Sequence, residues 1–341
     1  MAGVLDMTVF PVQGCSFGTT LPHFGTIGAG KIVSCARAAE AAGFDTLWVR
    51  DHLAFPAGKS VSPDEVFIDP FLALASAVAV TERISFGFAT LVPHRHPMHT
   101  AALLAGLDFL AGPGRLVAGI GLGAVRAELD AVGLEGRDRR RVLAEYVDVI
   151  RTVWRGETDY AGEHYRFAGL GVRPRPAPDG IPISYCGTKP AGAARSARYC
   201  DAWGPVKAPL RDFVDRRDRL VAACEQEGRP PLPMGVSSLV SVGESFDAAF
   251  ARPEISWYLP WVERTFGRPV QGPADLDGVV IAGEPDEVAA QIQRYVDAGA
   301  RHFLFDLRAN ISEWEDTARE IGRTVLPLLR SAVPTSEGAL T

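Results

Sequence analysis

The chain has 341 residues, 47% hydrophobic and 22% charged, an ordinary globular composition long enough to bury a large core. A formal charge of -6 and an isoelectric point near 5.7 disfavour nucleic-acid or anionic-membrane partners, which want a basic face, and leave a small molecule as the expected ligand. Five cysteines with no CxxC pair argue against a disulfide framework or a zinc ribbon and for reduced thiols in a cytoplasm. The N-terminus shows no signal peptide, and the apolar run at 71–80 is too short to span a bilayer.

Strand and helix patterns alternate along the chain. A first strand at 17–21 precedes a helix from 27 to 42 that ends at Gly43, and 45–50 is a second strand with Asp51 and His52 just past its end. Asp69 caps a helix that opens on Pro70. A third strand at 84–92, a helix at 97–111 and a fourth strand at 115–121 follow, the last running into Gly119, Gly121 and Gly123, where a ligand can approach the backbone closely. A helix spans 136–154, and 160–167 reads as a small hairpin outside the main sheet. Strands at 182–186 and 201–206 flank a helix at 191–199, a seventh strand covers 233–242, and a helix at 285–298 leads to an eighth strand at 301–306. Eight βα steps predict a single (β/α)8 TIM barrel over 1–341 rather than a doubly wound sheet, with insertions or lids at about 52–69, 155–181 and 243–279.

Barrel enzymes place catalytic groups at the C-terminal ends of their strands. His52 is therefore a candidate proton donor or acceptor, with Asp51 beside it; a loop hydrogen-bonding pair explains the same two residues. Gly187-Thr188-Lys189 lies between a strand and a helix start, where backbone amides bind phosphate; an ordinary turn with a solvated lysine is the alternative. His23, His94, Arg126, Tyr165 and Trp257 are candidate pocket residues; Arg126 and Glu128, which follow the glycine run of the fourth strand, read either as residues that reach the ligand or as helix-surface charges. The spacing His94-x-His96-x-x-His99, with Asp306 on the last strand, permits a metal-dependent hydrolase, but the fifth and sixth strands supply no histidine ligand, so no metal is expected. Cys186 reads as buried filler, with no base beside it.

The runs Thr20-Leu-Pro-His-Phe-Gly25, Ala39 through His52, Asp69-Pro70, Pro93-His-Arg-His-Pro97, Leu107-Asp108 and Gly114 through Gly123, continued by Pro174-x-Pro176, Asp201-Ala-Trp203 and Gly283-x-Pro285, together resemble the bacterial luciferase-like monooxygenase superfamily. The resemblance implies a barrel that binds a flavin-type coenzyme at its strand ends, either the deazaflavin F420 or FMN. It also implies a bulge in the third strand, often with a non-prolyl cis peptide, here at about Ala89-Thr90-Leu91, placing Thr90 and Leu91 under the ring, Gly119, Gly121 and Gly123 beside it, and Gly187, Thr188 and Lys189 at the phosphate. In the sugar-phosphate dehydrogenases of the deazaflavin branch the histidine matching His52 is the catalytic base, and a glutamate follows the glycine run where this chain has Ala124. The expected activity is F420-dependent hydride transfer to or from a small organic substrate, in a cytoplasmic enzyme that is served by a separate reductase and can form a homodimer. The alternatives are an FMNH2-dependent monooxygenase and, more remotely, the hydrolase or a non-catalytic flavin-binding protein.

Overall fold

A computed structural model describes residues 9–11, 13–25, 30–54, 66–177, 180–251, 259–260, 262–263 and 269–332. Eight parallel strands close into a barrel: β1 (Ser16–Thr20), β2 (Thr46–Val49), β3 (Ser85–Phe88), β4 (Leu116–Ile120), β7 (Ile183–Tyr185), β8 (Ala202–Val206), β9 (Met234–Val242) and β11 (His302–Asp306), with β8 pairing β9 to complete the ring. Between β4 and β7, a hairpin of β5 (Tyr160–Ala161) and β6 (Arg166–Phe167) stands apart from this sheet, as the sequence predicts. One strand was not foreseen: β10 (Val280–Gly283) pairs with Leu239–Val242, the half of β9 that runs on past its contacts with β8. Its four residues lie directly before a helix cap, too few to show a period of their own.

The outer layer comprises α1 (Ile32–Ala41), α2 (Pro70–Val78), α3 (Pro97–Ala111), α4 (Arg126–Ala131), α5 (Arg139–Arg155), α6 (Gly192–Tyr199), α7 (Leu210–Gln226), α8 (Phe246–Phe250), α9 (Pro285–Asp297), α10 (Trp314–Thr324) and α11 (Leu326–Ala332). Local chemistry sets these boundaries. The Asp69 carboxylate accepts the Phe71 amide at 2.9 Å ahead of α2. Asp138 caps α5 in the same way, so that helix starts three residues later than the sequence reading, and it ends on Gly156 at φ +89°. Val142, Leu143, Tyr146, Val147, Val149, Ile150 and Val153 form the buried face of α5, each side chain contributing on the order of 2 kcal/mol.

Because helices cover one face of every barrel strand and packed side chains the other, β1, β2, β3, β4, β7 and β11 are buried throughout. The interior is filled rather than hollow: Trp48 packs with Val9, Phe10, Val117, Ala202 and Leu304. Its indole takes the space that a Cβ at Gly87 would need, 2.5 Å away. Buried His302 stacks on it at 5.2 Å and bonds Ser16 through Nδ1 at 2.8 Å. The barrel is thus plugged at its base, and chemistry is confined to the C-terminal mouth.

Candidate functional site

The mouth has two unlike halves. On the first, formed by β3, β4 and β7, the third strand stops at Phe88 instead of continuing to 92. The Ala89–Thr90 peptide is cis, and the chain rejoins the sheet at Leu91, opposite Ile120. The Leu91 amide donates to the Gly119 carbonyl at 2.7 Å, and the Gly121 amide donates to the Leu91 carbonyl at 3.0 Å. A Cβ at 119 would fall 1.8 Å from the Phe88 carbonyl oxygen, and one at 121 would fall 2.9 Å from Thr90. The close approach these glycines permit is that of the third strand itself. Gly123, at φ +74°, has Val92 equally close and accepts a hydrogen bond from Arg139 at 3.0 Å. The Cys186 thiol beneath the bulge lies 3.2 Å from the Gly204 carbonyl, and burial pushes it up to about 12, so it is filler rather than a nucleophile.

Beyond β7 the Gly187 carbonyl accepts from Trp203 Nε1 at 2.8 Å, and a Cβ at 187 would strike the Tyr185 ring. Thr188 is half-buried and Lys189 exposed. The adjoining α6 starts at Gly192 with no side-chain cap and no acidic residue in its first turn, an electrostatic setting that favours an anion, although the Gly192 and Ala193 amides already bond the carbonyls of Lys189 and Pro190.

At the boundary between the halves, His52 presents Nδ1 to both oxygens of Glu128 at 3.3 Å. Glu128 comes from the first turn of α4 and also accepts the amides of Leu53 at 2.6 Å and Ala54 at 3.2 Å. Burial raises its carboxyl, but the His52 contact and the two amides outweigh that and hold it below the usual carboxylate range. An ionised partner at Nδ1 holds the ring's orientation and favours the tautomer that carries its proton on Nδ1. Asp51 points elsewhere: its buried carboxylate takes Arg95 on both oxygens at 2.8 Å and the Val92 amide at 3.1 Å, with His94 Nε2 at 3.3 Å. Arg95 also reaches Asp69, so this network ties the ends of β2 and β3 to the start of α2.

The other predicted residues are dispersed. Buried His23 contacts the carbonyls of Leu21 and Arg50 at 3.1 and 3.0 Å, and its proton affinity is lowered by burial against those two bonds. Phe67 lies edge-on to both His23 and His52, at 4.9 and 5.5 Å. Tyr165 packs on His96, at 5.3 Å, and on Tyr146. The Arg126 side chain is 67% exposed, 4.0 Å from Asp130, and is not brought to His52. Trp257 lies outside the described residues. The spaced histidines do not converge on one point: His94 meets Asp51, His96 caps α3, and His99 lies in the first turn of that helix. Among the described residues no group of three or more His, Cys, Asp and Glu is placed to hold a metal ion.

The second half, on β2, β8, β9 and β11, was missed as a site. Asp306, the last residue of β11 and 1% exposed, receives Arg50 at 3.0 Å, Lys207 at 2.9 Å and Arg308 at 2.6 Å. Lys207 also lies 3.2 Å from the Ser237 hydroxyl. Burial raises the Asp306 carboxyl, yet Arg308, Lys207 and Arg50 together hold it well below the ordinary range. Burial pushes the Lys207 amine down to about 8, against the opposing pull of Asp306. The available signal was positional: Arg50, Lys207 and Asp306 each stand at the C-terminal limit of a barrel strand.

This fold and mouth have counterparts among known proteins. An uncharacterized protein of Mycobacterium tuberculosis is 31% identical over 221 residues, 58% of this chain and 76% of the relative. The F420-dependent hydroxymycolic acid dehydrogenase of the same organism is 29% identical over 290 residues, 80% of this chain and 78% of the relative. The structure of an F420-dependent secondary alcohol dehydrogenase in complex with an F420-acetone adduct superposes with a TM-score of 0.77 at 19% identity, covering 93% of this chain and 100% of the other, a likeness of fold. The family model described as luciferase-like monooxygenase matches residues 15–302, and the chain belongs to that family.

Proposed function

We propose that the protein is an F420-dependent oxidoreductase that moves a hydride between the coenzyme and a small organic substrate. The observation that carries this reading is the β3–β4–β7 half of the mouth: an irregular strand end with a cis peptide at Ala89–Thr90, packed against Gly119 and Gly121 where a Cβ would clash, in the same mouth as the His52–Glu128 pair. The F420-dependent name of the hydroxymycolic acid dehydrogenase, similar over most of its length, supports the choice of coenzyme.

In this reading Ala89, Thr90 and Leu91 lie under the ring system, Gly119, Gly121 and Gly123 shape the floor, and Gly187, Thr188 and Lys189 with the start of α6 take the phosphate. The buried His94 Nδ1, for which no hydrogen-bond partner is found among the described residues, suits a polar ligand there. When bound, a deazaflavin supplies two-electron hydride transfer, because a carbon replaces the flavin N5. The chain's part is acid–base work: as hydride leaves or joins the substrate carbon, His52 takes or returns the hydroxyl proton through Nε2. Glu128 orients the ring, and Asp51 acts indirectly by fixing Arg95 and His94.

A separate reductase would recycle the coenzyme, since the chain has no nicotinamide fingerprint. Leu72 and Phe109, 65% and 75% exposed on the packed helices α2 and α3, suit a homodimer, and five free cysteines suit a cytoplasmic setting. Among the described residues no helix is long and apolar enough to cross a membrane.

Titration of the purified protein with F420, FMN and FMNH2, followed by anaerobic and aerobic turnover with a panel of alcohols, tests the reading. Saturable F420 binding with oxygen-independent turnover is expected. Binding of FMN in preference, with oxygen consumed, would replace it with the monooxygenase.

A further inference from the structure

In the outer layer, α5 and α6 do not close on one another. Ala144 on α5 and Ala194 on α6 both line a cavity of about 370 Å³ between these helices, within the roughly 300 to 1,000 Å³ of small-molecule sites. Its wall is apolar: Ile120 and Tyr185 at the ends of β4 and β7, with Leu143 and Val147 of α5, all four buried. Packed interiors leave few voids larger than a water molecule, and an apolar wall gives water no hydrogen bonds, so the space favours an apolar occupant.

The rim is charged and unbalanced. Four arginines line it. Arg140 is taken by Asp138 at 2.9 Å and Arg141 by Glu163 at 3.6 Å. Arg195 and Arg198, three residues apart on α6 and hence on one face, meet no carboxylate among the described residues. Each lies against a tyrosine instead, Arg195 over Tyr185 at 5.8 Å and Arg198 over Tyr199 at 5.4 Å. Nη1 of Arg195 also donates to the Tyr185 hydroxyl at 3.4 Å and to the Ala191 carbonyl at 3.2 Å. Stacking on a ring steadies a guanidinium while its N–H edge stays available to an oxyanion. Two such edges match the two oxygens of a carboxylate; the third oxygen of a phosphate would meet only guanidiniums already held by Asp138 and Glu163.

We propose that this cavity binds a medium-chain carboxylate, with its chain against Ile120, Leu143, Val147 and Tyr185 and its carboxylate bridging Arg195 and Arg198. The site uses none of the residues placed at the coenzyme or at His52, so it stands independently of the coenzyme reading. The Tyr185 ring does pack on Gly187 of the phosphate turn, where a Cβ would fall 2.4 Å from it, and the test therefore includes the coenzyme.

The full chain is titrated calorimetrically with decanoate, decyl phosphate and decanol, each below its aggregation limit, with and without F420. Decanoate should bind saturably, about tenfold or more tighter than decanol, and its affinity should change less than about twofold when F420 is present. The double variant Arg195→Gln/Arg198→Gln should weaken decanoate about tenfold or more, and Ala144→Leu, which fills the cavity, should do the same. Circular dichroism checks each fold, and the arginine variant, which leaves the packing of α5 untouched, decides if the other does not fold. Absence of saturable decanoate binding, decanol binding as tightly, or affinity unmoved in the folded variants overturns the proposal. Tighter binding of decyl phosphate overturns the carboxylate, and displacement of decanoate by F420 overturns the site by giving the cavity to the coenzyme.

Discussion

The two halves of the mouth solve different problems with different chemistry. On β3, β4 and β7 the backbone is the working surface: side chains are deleted at Gly119 and Gly121 so that an irregular strand end can be held by amides and carbonyls. On β2, β8, β9 and β11 charged side chains are the prominent feature, with three cations drawn to Asp306, although β8 has its own cis peptide at Gly204–Pro205 and a register shift against β9. The contrast teaches that one barrel mouth can be shaped by backbone on one side and by charged side chains on the other. Each half should therefore fail in its own way when altered.

The largest expected effect falls at the boundary. His52→Ala should lower turnover about a thousandfold, equivalent to about 4 kcal/mol, with F420 affinity nearly unchanged; turnover within threefold of wild type would remove the acid–base role. Next comes the neutral half. Gly119→Ala forces a methyl onto the Phe88 carbonyl and should cost about 3 kcal/mol of stability together with coenzyme binding, read by denaturant midpoint and fluorescence. Retention of both would mean that the bulge is not supported from β4.

The charged half should announce itself through pH. The native Lys207 amine sits at about 8 against an ordinary 10.5. Over that window the unfolded chain binds more protons than the native one, so stability rises with pH by roughly 3 kcal/mol from this group. Lys207→Met should remove that increment, and superimposable pH profiles for the two proteins would show that the amine is not strained by burial. Smaller effects complete the comparison. Glu128→Gln should lower turnover about tenfold by freeing the His52 ring while leaving coenzyme affinity intact, and loss of affinity instead would move Glu128 into the coenzyme site. Lys189→Ala should weaken F420 binding about fivefold, as befits an exposed charge; unchanged affinity would leave the phosphate to the backbone alone.

Much of the architecture was legible because it is written locally. Asp69-Pro70 announces the start of α2, Gly43 marks a helix end through its positive φ, and the strands read as apolar runs because both their faces are buried. The third-strand bulge was legible only through family resemblance, since nothing in Ala89-Thr90 by itself demands a break in the strand. The charged half was not legible: Arg50 and Asp306 are 256 residues apart, Lys207 and Asp306 are 99 apart, and only closure of the barrel brings them together. Glu128 illustrates the same limit at closer range. It sits four residues past Ala124, and the sequence left it open between a ligand contact and a helix-surface charge; the first turn of α4 is what carries its carboxylate to His52.

A crystal structure of the protein soaked with F420 tests the division of the mouth most directly. The account predicts the ring against Ala89–Thr90 and Leu91, one edge toward His52 and its open face toward Lys207 and Arg308. A ring seated among Lys207, Arg308 and Arg50, with the Ala89–Thr90 floor left uncovered, would contradict it.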